Sequence, residues 1–120
     1  MKRIKTLKLN YEFKNVFKKG KYYIGKQIIL YTLKNKYGYN RIGIAVSTKT
    51  CCAVKRNQIK RLVRAAYQLV VKENNIANGY DFVFVWNKKA NLEELSYNII
   101  LEDIEKTFER SSVLTEKKGN

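Results

Sequence analysis

The 120-residue sequence predicts a single α+β domain, in which helices pack on a mixed central sheet. Three observations support this class: apolar stretches with strand periodicity, a long amphipathic stretch between two of them, and a shorter amphipathic segment toward each end. A strand, a helix and a second strand in succession form a βαβ crossover, so part of the sheet should be parallel. The expected architecture is an α-β-β-β-α-β-α sandwich.

The first half of the chain is expected to hold one helix and three strands. Asn10 is a suitable cap for the helix, and Gly20 is well placed to end it. The third strand carries small residues on one face, which leaves room for a groove or a closely packed helix. The predicted segments are a flexible basic arm at 1–9, a helix at 11–19 and strands at 21–26, 27–34 and 42–48.

The second half contains the longest helix and the most hydrophobic strand. The amphipathic pattern from Ala53 predicts a helix that runs to about Glu73. A strand at 80–86 follows, with four aromatic side chains on one face. Asn91, with an acidic residue three positions later, is expected to cap the last helix. We expect the tail at 112–120 to be flexible, and we find no linker that would divide residues 1–120 into two domains.

Basic residues are concentrated in the first half of the chain. The sequence has 25 Lys and Arg against 10 Asp and Glu, a formal net charge of +15. Residues 1–64 hold 18 basic residues and one acidic residue, whereas residues 65–120 hold 7 basic and 9 acidic residues. This asymmetry favours a polyanionic partner. A membrane surface would also attract the charge, but the sequence has no long amphipathic helix that combines aromatic residues with flanking Lys and Arg.

The helix that starts at Ala53 separates its charges from its apolar residues. Its polar residues fall within a sector of about 140° on a helical wheel, and apolar residues occupy the other side. The alternative is a solvated surface face, but such faces usually mix signs, and no Asp or Glu lies between Ala53 and Lys72. Nucleic-acid contact is therefore the favoured interpretation. We call this sector the cationic face; its members are Arg56, Asn57, Lys60, Arg61 and Arg64.

Several classes of chemistry are excluded or disfavoured by composition. The sequence has no histidine, which rules out Ser-His-Asp and Cys-His catalysis. Its two cysteines, Cys51 and Cys52, are adjacent and lack further Cys or His partners for a zinc site, so we expect free thiols and no metal site. No apolar run approaches 18 residues and the first residues lack a signal core, so a cytoplasmic location is expected.

Two consecutive stretches, RIGIAVSTK and AVKRNQIKRLVRAAYQ, closely resemble the signature of the bacterial ribonuclease P protein family. In that family a G-[LIVF]-x-V-[ST]-[KR] strand leads to AV-x-RN-x-[IVL]-KR-x-x-R on a helix. The resemblance spans about residues 8–112 with the same order of elements, and it includes EFKNVFKKG as the first helix. The residues that fill the pattern are Gly43, Val46, Ser47, Lys49, Ala53, Val54, Arg56, Asn57, Ile59, Lys60, Arg61 and Arg64.

The chain departs from the family pattern at a few positions. Thr48 stands at the usual Lys or Arg after the serine, and Gln58 stands where the family commonly has Arg. Cys51 and Cys52 occupy a turn that usually has Gly followed by a small or polar residue. If that turn requires a positive φ at position 51, cysteine suits it poorly and the turn should differ locally.

The resemblance implies a non-catalytic protein subunit of a ribonucleoprotein endonuclease. In that enzyme a catalytic RNA removes the 5′ leader of precursor tRNA, using Mg²⁺ held mainly by RNA. By resemblance, the cationic face and Lys49 contact the RNA subunit or the leader. The implied partners are ribonuclease P RNA and precursor tRNA, without a membrane or an obligate protein partner.

The resemblance also assigns Phe13, Phe17 and Tyr31 to a groove for the single-stranded leader. Composition alone favours core packing for the two phenylalanines. Stacking on aromatic rings accepts any base, which suits a reader of leaders that differ between tRNAs.

Two rival functions remain open from the residues. A protein-only nuclease would need clustered carboxylates, yet six of the ten acids lie in the last predicted helix, away from the cationic face. A structural RNA-binding module, such as a ribosomal protein, would share the cationic face but would give no support to catalysis.

Overall fold

The computed structural model describes the backbone of residues 4–117 and the side chains of residues 4–114. Three α-helices and a short 3-10 helix are present: α1 Asn10–Lys19, α2 Ala53–Glu73, the 3-10 helix Leu92–Glu94 and α3 Tyr97–Arg110. The strands are β1 Lys5–Thr6, β2 Lys21–Ile24, β3 Ile28–Lys34, β4 Arg41–Ala45, β5 Asn74–Ile76, β6 Tyr80–Trp86 and β7 Leu114–Lys117.

The central sheet has five strands in the order β1-β4-β6-β3-β2. Strand β4 runs parallel to β6, with Ile42 opposite Phe82, and α2 connects the two. Strands β3 and β2 run antiparallel to their neighbours, so the sheet is mixed. The predicted α+β class and the βαβ crossover through the basic helix are therefore confirmed. Strands β1, β5 and β7 were not predicted.

Helices α2 and α3 cover one face of the sheet and enclose the main core. Ile59 and Val63 of α2 and Ile104 of α3 have no exposed surface, and they pack with the apolar face of β6. Tyr67, which the helical pattern did not assign to the core, is also buried there, and burial raises the pKa of its hydroxyl to about 12. The aromatic side chains predicted to share one face of β6 belong to this core.

Helix α1 packs on the opposite face of the sheet over a smaller core of Leu7, Val16 and Val83. Gly43 of β4 permits this packing, because a Cβ atom at that position would lie 2.5 Å from Cε1 of Phe13. Any larger residue at Gly43 would force the Phe13 ring to move. The small face of β4 therefore receives a closely packed helix, one of the two expected alternatives.

The prediction of a flexible arm and a flexible tail was wrong for the parts that the structure describes. Lys5 and Thr6 pair with β4, and Leu7 is buried, because the edge of β4 offers free backbone groups and α1 leaves an apolar pocket. In the tail, Val113 is buried and β7 pairs with β5. Residues 1–3 and 118–120 lie outside the described part of the chain.

Two predicted helix caps were also wrong. Asn10 is already helical; the backbone N–H groups of Lys8 and Leu9 instead donate to the Glu12 carboxylate, each at 2.9 Å. Asn91 caps the 3-10 helix by accepting from Glu93 N–H, whereas Ser96 caps α3. A second capping residue so close to the first made the true start of α3 ambiguous from sequence.

Candidate RNA interface

The cationic face lies on the side of α2 that points away from the core. Asn57, Arg61 and Arg64 are exposed, and Arg56 and Lys60 are half-buried, while Ile59 and Val63 on the other side of the helix are fully buried. Gln58, which departs from the family pattern, is exposed as well. The separation of faces predicted for this helix is therefore confirmed.

The charges of the cationic face are not neutralised by carboxylates in the described part of the chain. The ion pairs found there join Arg41 to Glu12 and Asp81, and Lys106 to Glu102. Arg56 instead donates to the backbone carbonyl of Cys51 at 2.7 Å, which ties its guanidinium to the loop before α2. The face therefore keeps its positive charge available to an external anion.

The start of α2 adds backbone donors to these charges. Cys52 occupies the N-cap position without a side-chain cap bond, and no acidic residue lies in the first turn. The backbone N–H of Lys55 and its neighbours lower the pKa of the exposed Cys52 thiol, as expected at a helix N-terminus. Cys51 does not adopt a positive φ; Ser112 is the one non-glycine residue that does so in the described chain. The family departure at position 51 therefore requires no strained backbone.

Lys49 lies beside a depression of about 580 Å³ that sequence reasoning did not identify. The depression is lined by residues that follow β4 and β6, including Ser47, Thr50 and Lys88. Because parallel strands end at the same edge of a sheet, their following loops meet there, and the parallel pairing could have indicated this site. Lys88 thus adds a cation near the predicted Lys49.

Phe17 and Tyr31 meet at the surface between α1 and the sheet, where the leader groove was predicted; we call this predicted site the aromatic groove. Their ring centroids are 4.9 Å apart in an edge-to-face arrangement, and 41% of Phe17 remains exposed. Tyr22, which the sequence did not indicate, has its ring centroid 5.7 Å from that of Tyr31 and is 60% exposed. The antiparallel register of β2 and β3 places Tyr22 opposite Tyr31, so a predicted hairpin could have revealed it.

Phe13 has a different position from the other two predicted groove residues. It is half-buried and packs with the smaller core, directly above Gly43. The structure therefore brings Phe17 and Tyr31 together at the surface, whereas Phe13 packs over Gly43 of β4. Core packing, the alternative for both phenylalanines, describes Phe13 better than Phe17.

Arg41 fixes α1 to the sheet on the side of the helix start. Its Nη1 donates to Glu12 at 2.7 Å, and its Nε and Nη2 donate to Asp81 at 2.9 and 2.7 Å. Asp81, with Glu12, raises the pKa of Arg41 above its ordinary value, while the N–H groups of Leu9 and Lys8 and then Arg41 lower the pKa of Glu12. The single acid in residues 1–64 thus holds the helix that forms one wall of the groove.

The structure also bears on metals and membranes. Among the described side chains, those of residues 4–114, no three His, Cys, Asp or Glu lie close enough together to hold a metal ion. Over the same range, no helix is both long and apolar enough to cross a membrane.

Comparison with known proteins identifies the family. The family model described as Ribonuclease P matches residues 1–112. The chain belongs to the ribonuclease P protein family. The predicted resemblance is therefore confirmed.

Relatives in the ribonuclease P protein family match nearly the whole chain. A ribonuclease P protein component of Clostridioides difficile is 36% identical over 111 residues, which cover 92% of this chain and 95% of the relative. Another from Fusobacterium nucleatum is 38% identical over 111 residues, covering 91% of this chain and 98% of the relative. Membership in this family implies a role in tRNA processing and partnership with ribonuclease P RNA.

Solved ribonuclease P proteins share the fold. The RNase P protein of Staphylococcus aureus superposes with a TM-score of 0.78 at 27% identity, covering 94% of this chain and all of that one (100%). The protein from Thermotoga maritima gives a TM-score of 0.76 at 29% identity, covering 88% of this chain and 96% of that one. The mixed sheet with three helices is thus the fold of the ribonuclease P proteins.

Proposed function

We propose that the chain is the protein subunit of ribonuclease P, which binds the catalytic RNA and the 5′ leader of precursor tRNA. In this role it promotes the Mg²⁺-dependent endonucleolytic removal of the leader, which gives mature tRNA 5′ ends. The observation that carries the proposal is the cationic face of α2, whose charges have no carboxylate partners among the described residues. Family membership supports the same conclusion.

The cationic face supplies contacts to phosphates of RNA. Arg61 and Arg64 are exposed and reach solvent without a carboxylate partner in the described chain. Each phosphate that such a cation neutralises releases counterions, so affinity should fall with salt, with a slope of about 0.7 per single-strand contact. Lys49 and Lys88 place two further cations at the edge of the sheet, in a depression that Glu93 also lines.

The aromatic groove is suited to unpaired bases of the leader. Phe17, Tyr22 and Tyr31 present adjacent rings, two of them largely exposed, beside a helix that carries lysines. Stacking contributes about 1–3 kcal/mol per base and depends little on base identity. A groove of this kind accepts leaders of different sequence.

The chemistry of bond cleavage belongs to the RNA subunit in this proposal. Three carboxylates are engaged within the protein: Glu12 and Asp81 bind Arg41, and Asp103 accepts backbone N–H groups of residues 26–28. The donor set of the proposed interface, which consists of cations, an amide and aromatic rings, does not fit a protein-held Mg²⁺. The ions would then be held mainly by RNA, and the assembly would act in the cytoplasm without an obligate protein partner.

Reconstitution tests the proposal. Precursor tRNA with and without its leader is incubated with a bacterial ribonuclease P RNA over a range of Mg²⁺ concentrations, with or without the full chain. We expect the chain to lower the Mg²⁺ requirement and to tighten binding of the leader-bearing substrate more than of the leaderless one. The chain alone with Mg²⁺ should leave precursor tRNA intact.

Two outcomes would contradict the proposal. Efficient cleavage by the chain alone would indicate a protein nuclease. RNA binding without any effect on the Mg²⁺ requirement or on substrate affinity would indicate a structural RNA-binding module.

A further inference from the structure

The turn between β3 and β4 carries a second pair of exposed aromatic rings. Tyr37 and Tyr39 are 55% and 43% exposed, and their ring centroids are 5.7 Å apart. Residues 35–40, which we call the tyrosine turn, precede β4, whereas the loop to the cationic face follows it. The two surfaces are therefore separated by the length of a five-residue strand, roughly 16 Å.

Hydrogen bonds hold the tyrosine turn in one shape. The side-chain oxygen of Asn35 accepts from Tyr37 N–H at 3.0 Å, and its amide donates to Tyr39 O at 3.1 Å and to Asp81 at 2.9 Å. Gly38, between the two tyrosines, has a φ of +77°, a conformation that other residues rarely adopt. Because the backbone of the turn is fixed before any partner arrives, less backbone entropy would be lost on binding.

Each ring has a cation over it. The guanidinium carbon of Arg41, held by Asp81 and Glu12, lies 4.4 Å from the centre of Tyr37, and Lys5 Nζ lies 5.9 Å from the centre of Tyr39. Two depressions flank the turn, of about 470 and 270 Å³, and they are lined in part by lysines: Lys5 and Lys8 in the first, Lys34 and Lys36 in the second. The acids within these depressions are Glu12 and Asp81, and both are bound to Arg41.

We propose that the tyrosine turn is a second RNA-contacting surface, which takes unpaired bases on Tyr37 and Tyr39 while the flanking lysines contact phosphates. Aromatic rings beside cations are the combination that binds single-stranded RNA without sequence preference. The inference rests on the proposed function, since it adds a contact to the same ribonucleoprotein. The unpaired segment belongs to either the RNA subunit or the leader, and the experiment below separates these sources.

Charge argues against a second copy of the chain as the occupant. Another copy would carry the same net charge of +15 and the same lysines into the contact. RNA, by contrast, supplies negative phosphates at the spacing of its bases.

Binding of a fluorescein-labelled oligouridylate of about 12 nucleotides to the full chain tests the surface directly. Tyr37→Leu/Tyr39→Leu removes both stacking rings but keeps apolar cover over Arg41, and we expect it to weaken binding about fivefold or more. Tyr37→Phe/Tyr39→Phe keeps the rings and should bind within about twofold of the wild type.

Phe17→Leu, in the aromatic groove, is measured in parallel. Unchanged affinity of the leucine double variant, with a loss for Phe17→Leu, overturns this inference alone; unchanged affinity in both contradicts the proposed groove as well.

The source of the bound segment is found by repeating the titration with ribonuclease P RNA, with leader-bearing precursor tRNA and with leaderless precursor tRNA. A loss confined to the ribonuclease P RNA assigns the surface to the RNA subunit, and a loss confined to the leader-bearing substrate assigns it to the leader. If the leucine double variant binds both the ribonuclease P RNA and the leader-bearing substrate as tightly as the wild type does, the proposal is overturned.

Two further measurements control for misfolding of the variant and for self-association of the chain. If the leucine double variant fails to fold, cross-linking of the wild-type chain to a 4-thiouridine oligonucleotide replaces it; adducts on residues 35–40 support the proposal, and their absence overturns it. Sedimentation of the wild type is also measured, and a dimer that the leucine double variant abolishes would show that the occupant is a second copy, which contradicts the proposal.

Discussion

The rings of Phe17 and Tyr31 meet edge to face at the surface, with centroids 4.9 Å apart. Phe17 belongs to α1 and Tyr31 to β3, so the contact joins the helix to the sheet. A ring that is 41% exposed gains less from burial than a core residue does. The exposure of the Phe17 ring, on a helix that carries lysines, is explained if RNA bases stack on the ring and bury it.

Phe17→Ala and Phe13→Ala should therefore separate binding from stability. We expect Phe17→Ala to weaken leader-dependent affinity about fivefold or more, because one stacking ring is lost, while the melting temperature changes little. Phe13→Ala should destabilise the fold by about 2 kcal/mol or more, because it leaves a cavity above Gly43. Thermal unfolding and titration with leader-bearing and leaderless precursor tRNA check both variants. If Phe17→Ala affects only the melting temperature, the groove assignment is wrong.

Glu12 should make the free energy of unfolding depend on pH in the acidic range. Backbone N–H groups and then Arg41 lower its pKa in the folded state below the ordinary value of 4.5. Its contribution to the free energy of unfolding is thus present above that value and is lost as the pH falls through the folded pKa. We expect Glu12→Gln to be less stable than the wild type at neutral pH and closer to it at about pH 3.

Urea unfolding of both proteins at the two pH values measures this difference. Glu102→Gln is a suitable control, because its carboxylate joins Lys106 in an exposed pair that should contribute little to stability. A gap between wild type and Glu12→Gln that stays constant across the pH range would contradict the role assigned to Glu12.

Cys52 should react with iodoacetamide faster than Cys51, and RNA should slow the reaction. The Cys52 thiol is exposed and its pKa is lowered by N–H groups at the start of α2, whereas Cys51 is half-buried. If RNA phosphates cover the start of this helix, ribonuclease P RNA should protect Cys52. Peptide mass spectrometry follows each site, and Cys52→Ser provides the control for labelling of Cys51. Equal rates with and without bound RNA would place the RNA elsewhere.

Long elements with a clear period were predictable from the sequence, and short ones were not. The period of α2 identified its buried and cationic faces, since 21 residues repeat the pattern many times. Strands β1 and β5 have two and three residues, too few to show a period, and they form only because neighbouring strands offer free backbone groups.

Residues of the candidate site could be predicted where a single element determines their position, and they were missed where several elements meet. Arg56 and Arg61 follow from one helix, and the family resemblance supplied Phe17 and Tyr31. Tyr22 and Lys88 depend on how strands pair, β2 with β3 and β4 with β6, and the residue pattern within a single strand does not report that pairing. Arg41 was missed for the same reason, because its partners Glu12 and Asp81 come from two other elements.

The salt dependence of binding to ribonuclease P RNA tests the role of the cationic face most directly. Arg61→Gln/Arg64→Gln removes two exposed charges that make no ion pair in the described chain, while Arg56 keeps its bond to Cys51. Lys72→Gln, at the other end of α2, is the control. We predict that the double variant binds more weakly and that its slope of log K against log salt is shallower by roughly 1.4, with the control unchanged. A double variant with the affinity and slope of the wild type would contradict the account.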